Sequence, residues 1–191
     1  MDLLSSVYVS CTSSGVLALL KQRYPVATLD RGSSFIELPQ SVEAALPPQE
    51  WEALSRRLGV SVHQLFFQAH TERFRYQHFK AGEMLRTLQY GGDCRGKWEI
   101  VDGDVERWEA AAFFSRMVQA PEAGGDPRRA AVEAVWRGGQ LRAGGYYPVI
   151  DACDAAHAAA EYYKFPGWMQ IVETKRDDTP AQAAAIVDRL T

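Results

Sequence analysis

Residues 62–109 carry the pattern that most constrains the fold, a strand-like, period-two stretch that leads into a Trp-rich turn and then a helix. One stretch reads, in order, Arg73, Phe74, Arg75, Tyr76, Gln77 and His78. Successive side chains of a β-strand point to opposite faces, so this alternation predicts a strand with one buried face. Residues 62–70 and 84–90 predict flanking strands, with a turn at 80–83 and a bulge near Arg86. The sequence therefore predicts an antiparallel meander.

Helix and strand patterns on both sides of the meander predict an α+β fold. The other predicted strands are 6–10, 26–29, 34–38 and 98–101. The predicted helices are 14–24, 49–58, 106–117, 128–137, 151–163 and a last one from 179, placed by apolar spacing or by flanking proline, glycine or serine. We expect a mostly antiparallel sheet with helices packed on one face and Ala-rich helices at the C-terminus.

The chain length predicts a single domain. With 191 residues, the whole span 1–191 is long enough to bury a sizeable core as one α+β unit. Residues 120–127, rich in proline and glycine, are the best linker candidate and mark a sub-boundary.

Composition narrows the class of protein. A net charge of -3 argues against a sequence-independent nucleic-acid binder, which needs a concentrated positive field. The cysteines Cys11, Cys94 and Cys153 are far apart and odd in number, which predicts reduced thiols. The first residues lack a signal-peptide pattern, and no apolar run approaches the roughly 20 residues that cross a bilayer. We therefore expect a cytoplasmic protein that does not enter the membrane.

Several short patterns together resemble a group of uncharacterised bacterial proteins. They are the Tyr-Gly pair at 90–91, Trp-x-x-Val-x-Gly at 98–103, Glu-x-Trp-Glu at 106–109, Phe-Phe at 113–114, Ala-Glu-Tyr-Tyr…Pro-Gly-Trp at 160–168, and the Trp…Leu-Gly helix at 51–59. They cover roughly residues 50–168. The resemblance implies a small α+β fold and a bacterial source. It implies no reaction, ligand or catalytic residue.

Cys11 is the strongest candidate nucleophile. It follows a predicted strand and precedes a Ser-rich helix start, where the helix dipole lowers the pKa of a thiol. Neither a phosphatase-like Cys-x5-Arg arrangement nor a P-loop lysine accompanies it. A small buried cysteine beside capping hydroxyls is the simpler interpretation.

The four histidines are His63, His70, His78 and His157, and no two have metal-ligand spacing on one predicted helix. His70 and His78 lie on adjacent predicted strands, so the pair with a nearby carboxylate is a candidate for acid/base chemistry. We predict no metal site and no cofactor.

Acidic residues cluster after the meander, at Asp93, Asp102, Asp104, Glu106 and Glu109. Paired carboxylates can serve acid/base catalysis or bind a cation, but the EF-hand pattern is absent. Asp102 and Asp104 are more simply turn residues, and Glu106 favours a helix start.

A basic and aromatic sheet face is the candidate interaction surface. Arg73 and Arg75, with Tyr76, lie on the alternating strand, and Arg86 and Tyr90 follow on the next. Such a face can bind single-stranded nucleic acid, although the overall acidity argues against this. Trp98 and Trp108 are candidates for a protein contact if they are exposed. The predicted interaction residues are Trp98, Trp108, Arg73, Arg75 and Tyr76.

Two classes of function remain open. The first is a non-enzymatic bacterial protein-interaction module, such as an immunity or adaptor protein of a conflict system, whose partner is another protein. The second is a small hydrolase or transferase that uses Cys11 or a histidine–carboxylate pair. The missing catalytic constellation favours the first, and the oligomeric state stays open.

Overall fold

The computed structural model describes residues 3–10, 13–39, 47–92, 97–114, 136 and 152–166. The strands are β1 (Leu3–Ser10), β2 (Phe35–Pro39), β3 (Ser61–Gln68), β4 (Arg73–Lys80), β5 (Glu83–Tyr90) and β6 (Trp98–Gly103). The helices are α1 (Ser14–Arg23), α2 (Pro48–Leu58), α3 (Arg107–Glu109), which continues as a π-helical turn over Ala110–Phe114, and α4 (Ala152–Tyr163). No helix in these ranges has the length and apolar character needed to span a membrane.

The six strands form one antiparallel sheet in the order β2-β1-β3-β4-β5-β6. The predicted meander is confirmed as β3, β4 and β5, and so is the turn between β4 and β5. In that turn Ala81 has φ 52° and Gly82 has φ 85°, the left-handed pair that a tight hairpin requires. The α+β class is therefore confirmed.

Helices cover both faces of the sheet, so the expectation of one covered face is wrong. The face that we call the α4 face carries Tyr8, Leu65, Tyr76 and Leu88, which share a core with α3 and α4. The opposite face, the α2 face, carries Val7, Val9, Ile36, Val62 and Phe79, which share a core with α1 and α2. The reason lies in β1, where Val7, Tyr8 and Val9 are consecutive apolar residues. Such a run buries both sides of a strand.

The predicted bulge is present beside Arg86. His78 pairs with Arg86, whereas the next residue of β4, Phe79, pairs with Met84, so Leu85 is the extra residue. A Cβ atom at Gly103 would collide with the carbonyl oxygen of Leu85, which explains the glycine beside this bulge.

The helix predictions are confirmed for α1, α2 and α4. Helix α2 begins with Pro48 in its first turn and ends at Gly59, whose φ of 65° is left-handed and whose N–H donates to the Ser55 carbonyl at 2.9 Å. Helix α4 buries one side made of alanine, at positions 152, 155, 156, 159 and 160.

Two local predictions differ from the structure. The strand expected at 26–29 is a single bridge between Thr28 and Glu37. The helix expected at 106–117 is one α turn closed by a reciprocal cap between Glu106 and Glu109, followed by the π turn. The predictions for 120–127, for 128–137 apart from Trp136, and for the helix from 179 lie outside the described residues.

Candidate functional site

A groove on the α2 face is the candidate site. Its floor follows one cross-strand row of paired residues, one from each of β1, β3, β4, β5 and β6: Ser5, Phe66, Arg75 and Gln89 line the groove, and Ile100 continues the row beyond it. We call this the Arg75 row. The groove has a volume of about 270 Å³ and is lined by Ser5, Phe66, Arg73, Phe74, Arg75, Gln89, Tyr90 and Gly92. Ile100, at the edge of the sheet, is 41% exposed.

The α2 face changes character from one end to the other. At one end Val9, Val62 and Phe79 pack under α1 and α2. The next row, which includes Gln64 and Gln77, is buried but polar. In the Arg75 row the side chains become partly accessible. Position along the strands therefore decides which side chains of this face can meet a ligand.

Arg75 is the charged centre of the groove. Its guanidinium carbon lies 5.9 Å from the ring centroid of Phe66, within cation–π range. Its Nε atom is buried and has no hydrogen-bond partner. Burial lowers the pKa of Arg75 from its ordinary value, because the charged form is partly desolvated. The groove thus holds a half-buried cation with an unused N–H donor.

The neighbouring polar groups are already engaged. Exposed Arg73 donates from Nη2 to the Gly92 carbonyl at 3.0 Å. Gln89 donates its amide to the Glu99 carboxylate at 2.7 Å, which places that carboxylate beside the groove but outside its lining. The part of the lining that the structure describes therefore contains two arginines and no carboxylate.

Three of the predicted interaction residues lie in the core. Tyr76, Trp98 and Trp108 are 0%, 7% and 1% exposed and belong to the cluster on the α4 face. Strand alternation puts Tyr76 on the opposite side of β4 from Arg73 and Arg75. The basic-aromatic face expected from the sequence is therefore split: Arg73, Arg75 and Tyr90 line the groove, whereas Tyr76 does not.

Arg86, expected on that same face, is fully buried instead. It donates from Nε and Nη2 to the two carboxylate oxygens of Glu109, at 2.8 and 2.5 Å. Its Nη1 donates to the carbonyls of Asp102 and Gly103, and Trp136 donates to Glu109 at 2.6 Å. Burial raises the pKa of Glu109, and the bond from Arg86 opposes that rise. This pair joins the meander to α3 inside the core.

A second buried carboxylate, Glu106, lies nearby. Its Oε2 accepts from Tyr76 at 2.7 Å, Trp108 at 2.7 Å and Tyr163 at 2.8 Å. Its Oε1 lies 2.5 Å from Nδ1 of His78. Although burial opposes it, the bonds from His78 and the tyrosines lower the pKa of Glu106 to about 2. Four side-chain donors therefore surround this one carboxylate.

His63 completes this network. Tyr76 gives its one hydroxyl proton to Glu106, so the 2.9 Å contact between Tyr76 and Nδ1 of His63 has the imidazole as donor. The His63 and His78 rings are stacked with centroids 4.0 Å apart. Burial, and then the neighbouring His78, lower the pKa of His63 well below its ordinary value. We call His63, Tyr76, His78, Glu106 and Tyr163 the Glu106 network.

The predicted pair of His70 and His78 does not form. His70 is exposed in the turn after β3, where it contacts Gln68, while His78 lies towards the other end of β4 and pairs in register with His63. The hairpin register separates two histidines whose predicted strands are adjacent. Within the described ranges no group of three His, Cys, Asp or Glu side chains has an arrangement that could hold a metal ion.

The remaining candidates from the sequence fall elsewhere. Cys11 and Cys94 lie outside the described residues. Cys153 and His157, on α4, line a cleft of about 660 Å³ together with Trp108, Ala111, Ala112, Asp154, Ala158, Glu161, Tyr162 and Lys164. Asp102 and Asp104 are exposed at the end of β6, as expected for turn residues.

The sequence interpretation missed Phe66 and Gln89 as parts of the site. The alternation in the meander contained the signal, because the strand register pairs Phe66 with Arg75 and Arg75 with Gln89. No local pattern indicated the partners of Glu106, since Tyr163 is 57 residues away.

Comparison of the chain with protein-family models, with curated proteins and with solved structures found no match. The resemblance to bacterial proteins therefore stays a prediction, and the site has to be interpreted from its own geometry.

Proposed function

We propose that this protein is a non-enzymatic interaction module that binds another protein through the Arg75 row. The observation that carries the proposal is the half-buried Arg75, whose Nε donor has no partner in the described structure while its guanidinium lies against Phe66. A buried donor without an acceptor costs free energy, and a bound partner recovers that cost when Arg75 turns its Nε–H onto an acceptor of the partner. Aromatic and arginine side chains are also the types that dominate protein interfaces.

The state of the buried ionisable groups supports the same proposal. Glu106 is held by four side-chain donors, and both oxygens of Glu109 bind Arg86. These two carboxylates therefore stabilise the fold. The proposal includes the bacterial immunity or adaptor role and the cytoplasmic location expected from the sequence.

One observation favours the alternative class, a hydrolase or transferase with a histidine–carboxylate pair. Glu106 orients His78, and the buried Nε2 atom of His78 has no hydrogen-bond partner, which is the pairing that an imidazole base uses. His78 lines neither the groove nor the cleft. Activity of the purified protein on an ester or phosphoester panel, lost in His78→Gln, would favour this class.

Site-specific crosslinking in the host cell tests the proposal. A photoreactive amino acid replaces Gln89 in the groove, and a matched control carries it at Arg57, which is exposed on α2. We expect one discrete protein adduct from position 89, absent from position 57 and lost when Arg75→Glu is added. Equal adducts from both positions, or none from position 89, would contradict an interface at the Arg75 row.

A further inference from the structure

We infer that the partner segment bound in the groove is acidic, with an Asp or Glu carboxylate placed on Arg75 and an apolar side chain beside Phe66. This inference rests on the proposed function and specifies the chemistry of its partner. It is carried by the charges of the lining, by the unpartnered donor of Arg75 and by the apolar surface on both sides of it.

The charges of the groove select an anion. Among the described lining residues, Arg73 and Arg75 are the ones that carry a charge at neutral pH. The Glu99 carboxylate beside the groove accepts the Gln89 amide. Within the described part of the lining, an entering acidic group therefore meets two cations and no carboxylate. A basic segment would be repelled there.

The geometry of Arg75 selects a carboxylate over a neutral acceptor. A guanidinium presents Nε and a terminal nitrogen as a planar fork that matches the two oxygens of a carboxylate. In Arg86 this fork is already used in that way on Glu109. In Arg75 the Nε atom is buried and has no hydrogen-bond partner, so pairing it with a carboxylate requires the side chain to turn towards the groove. The same chain thus shows one guanidinium whose fork is occupied and one whose Nε donor is not used.

The surroundings of Arg75 select a peptide over a nucleic acid. Phe66 is the partly accessible aromatic residue of the row, and the guanidinium of Arg75 lies over its ring, so a nucleobase cannot stack there. Exposed Ile100 continues the row beyond Gln89. An apolar side chain next to the acid is the matching feature of a peptide.

Nuclear magnetic resonance of the full chain tests this inference directly. The Nε–Hε resonance of Arg75 is followed while the peptide acetyl-Glu-Phe-Glu-Leu-Glu-amide is added, and then its counterpart with glutamine at every glutamate. We expect a saturating shift at Arg75 with the acidic peptide and binding at least about tenfold weaker for the glutamine peptide, because hydrogen bonds to charged groups are the stronger ones. Arg75→Gln should abolish binding, and Arg57→Gln should leave it unchanged.

Two results would overturn the inference. One is equal binding of the acidic and glutamine peptides. The other is a shift at Arg75 caused by a single-stranded thymidine oligonucleotide and not by the acidic peptide. If crosslinking at Gln89 captures a partner but the acidic peptide does not bind, the acidic chemistry fails while the interaction module stands. If the peptide binds and no partner crosslinks, the proposed function fails instead.

Discussion

The two faces of the sheet differ in how completely their charged side chains are hydrogen-bonded. On the α4 face, Glu106 and Glu109 are surrounded by donors, and each oxygen has at least one partner. On the α2 face, Arg75 is half-buried and its buried Nε donor has no partner. A buried charge with all its hydrogen bonds made positions the elements around it, whereas an incompletely bonded charge at an accessible groove is available to a ligand. The contrast separates residues that stabilise the fold from residues that can bind.

The largest expected effect comes from breaking the pair of Arg86 and Glu109. Replacing Arg86 with Met leaves Glu109 buried without its cation, which costs about 3–5 kcal/mol of unfolding free energy. Urea denaturation followed by circular dichroism measures this loss. The double variant Arg86→Met with Glu109→Leu should recover much of it, because no uncompensated charge remains. A double variant no more stable than the single one would show that the pair does more than neutralise charge.

Lowering the pH should have the next largest effect on the unfolding free energy, through the Glu106 network. The pKa of Glu106 falls from an ordinary 4.5 to about 2, so its contribution, roughly 3 kcal/mol, is present above pH 4.5 and is lost as the pH falls towards 2. The lowered pKa of His63 also reduces stability in acid, and this loss begins at a higher pH than that of Glu106. Below about pH 6.5 the His63 side chain takes up a proton in the unfolded chain but not in the folded one. Stability should therefore decline in two steps.

Denaturation of the Glu106→Gln variant isolates the lower step. The raised pKa of Glu109 opposes the loss of stability at low pH. Glu109 is present in both the wild type and the variant, so its effect cancels in their difference. The stability difference between the wild type and Glu106→Gln should be large at pH 7 and should shrink below pH 4.5. A difference independent of pH would mean that ionised Glu106 does not stabilise the fold.

The elements that sequence could predict are those fixed by local chemistry. The period-two pattern predicted β3, β4 and β5, and proline and glycine predicted the ends of α2. The bulge beside Arg86 followed from side-chain alternation alone.

The assignment of residues to faces and partners could not be predicted in the same way. Arg73, Arg75 and Arg86 share a residue type and neighbouring strands, yet Arg86 faces Glu109 because the bulge and alternation turn it into the core. Only the three-dimensional packing of α3 on the sheet decides that. Part of the candidate site was therefore predictable. The alternating pattern of the meander predicted its arginines, whereas the unpartnered Nε donor of Arg75 depends on how the side chains pack.

Replacing Arg75 should have the smallest effect on stability. This variant is also the most direct test of the difference between the two faces of the sheet. Arg75→Gln removes a partly desolvated cation whose Nε has no partner, so the unfolding free energy should change by no more than about 0.5 kcal/mol. Binding to the acidic peptide should be lost in the same variant. Glu106→Gln should show the reverse, a less stable protein that still binds at a temperature where it is folded. Urea denaturation and peptide titration of both variants measure the two effects side by side. A strongly destabilised Arg75→Gln would place Arg75 with the structural charges of the α4 face, because a side chain that the fold itself requires is no evidence for a partner.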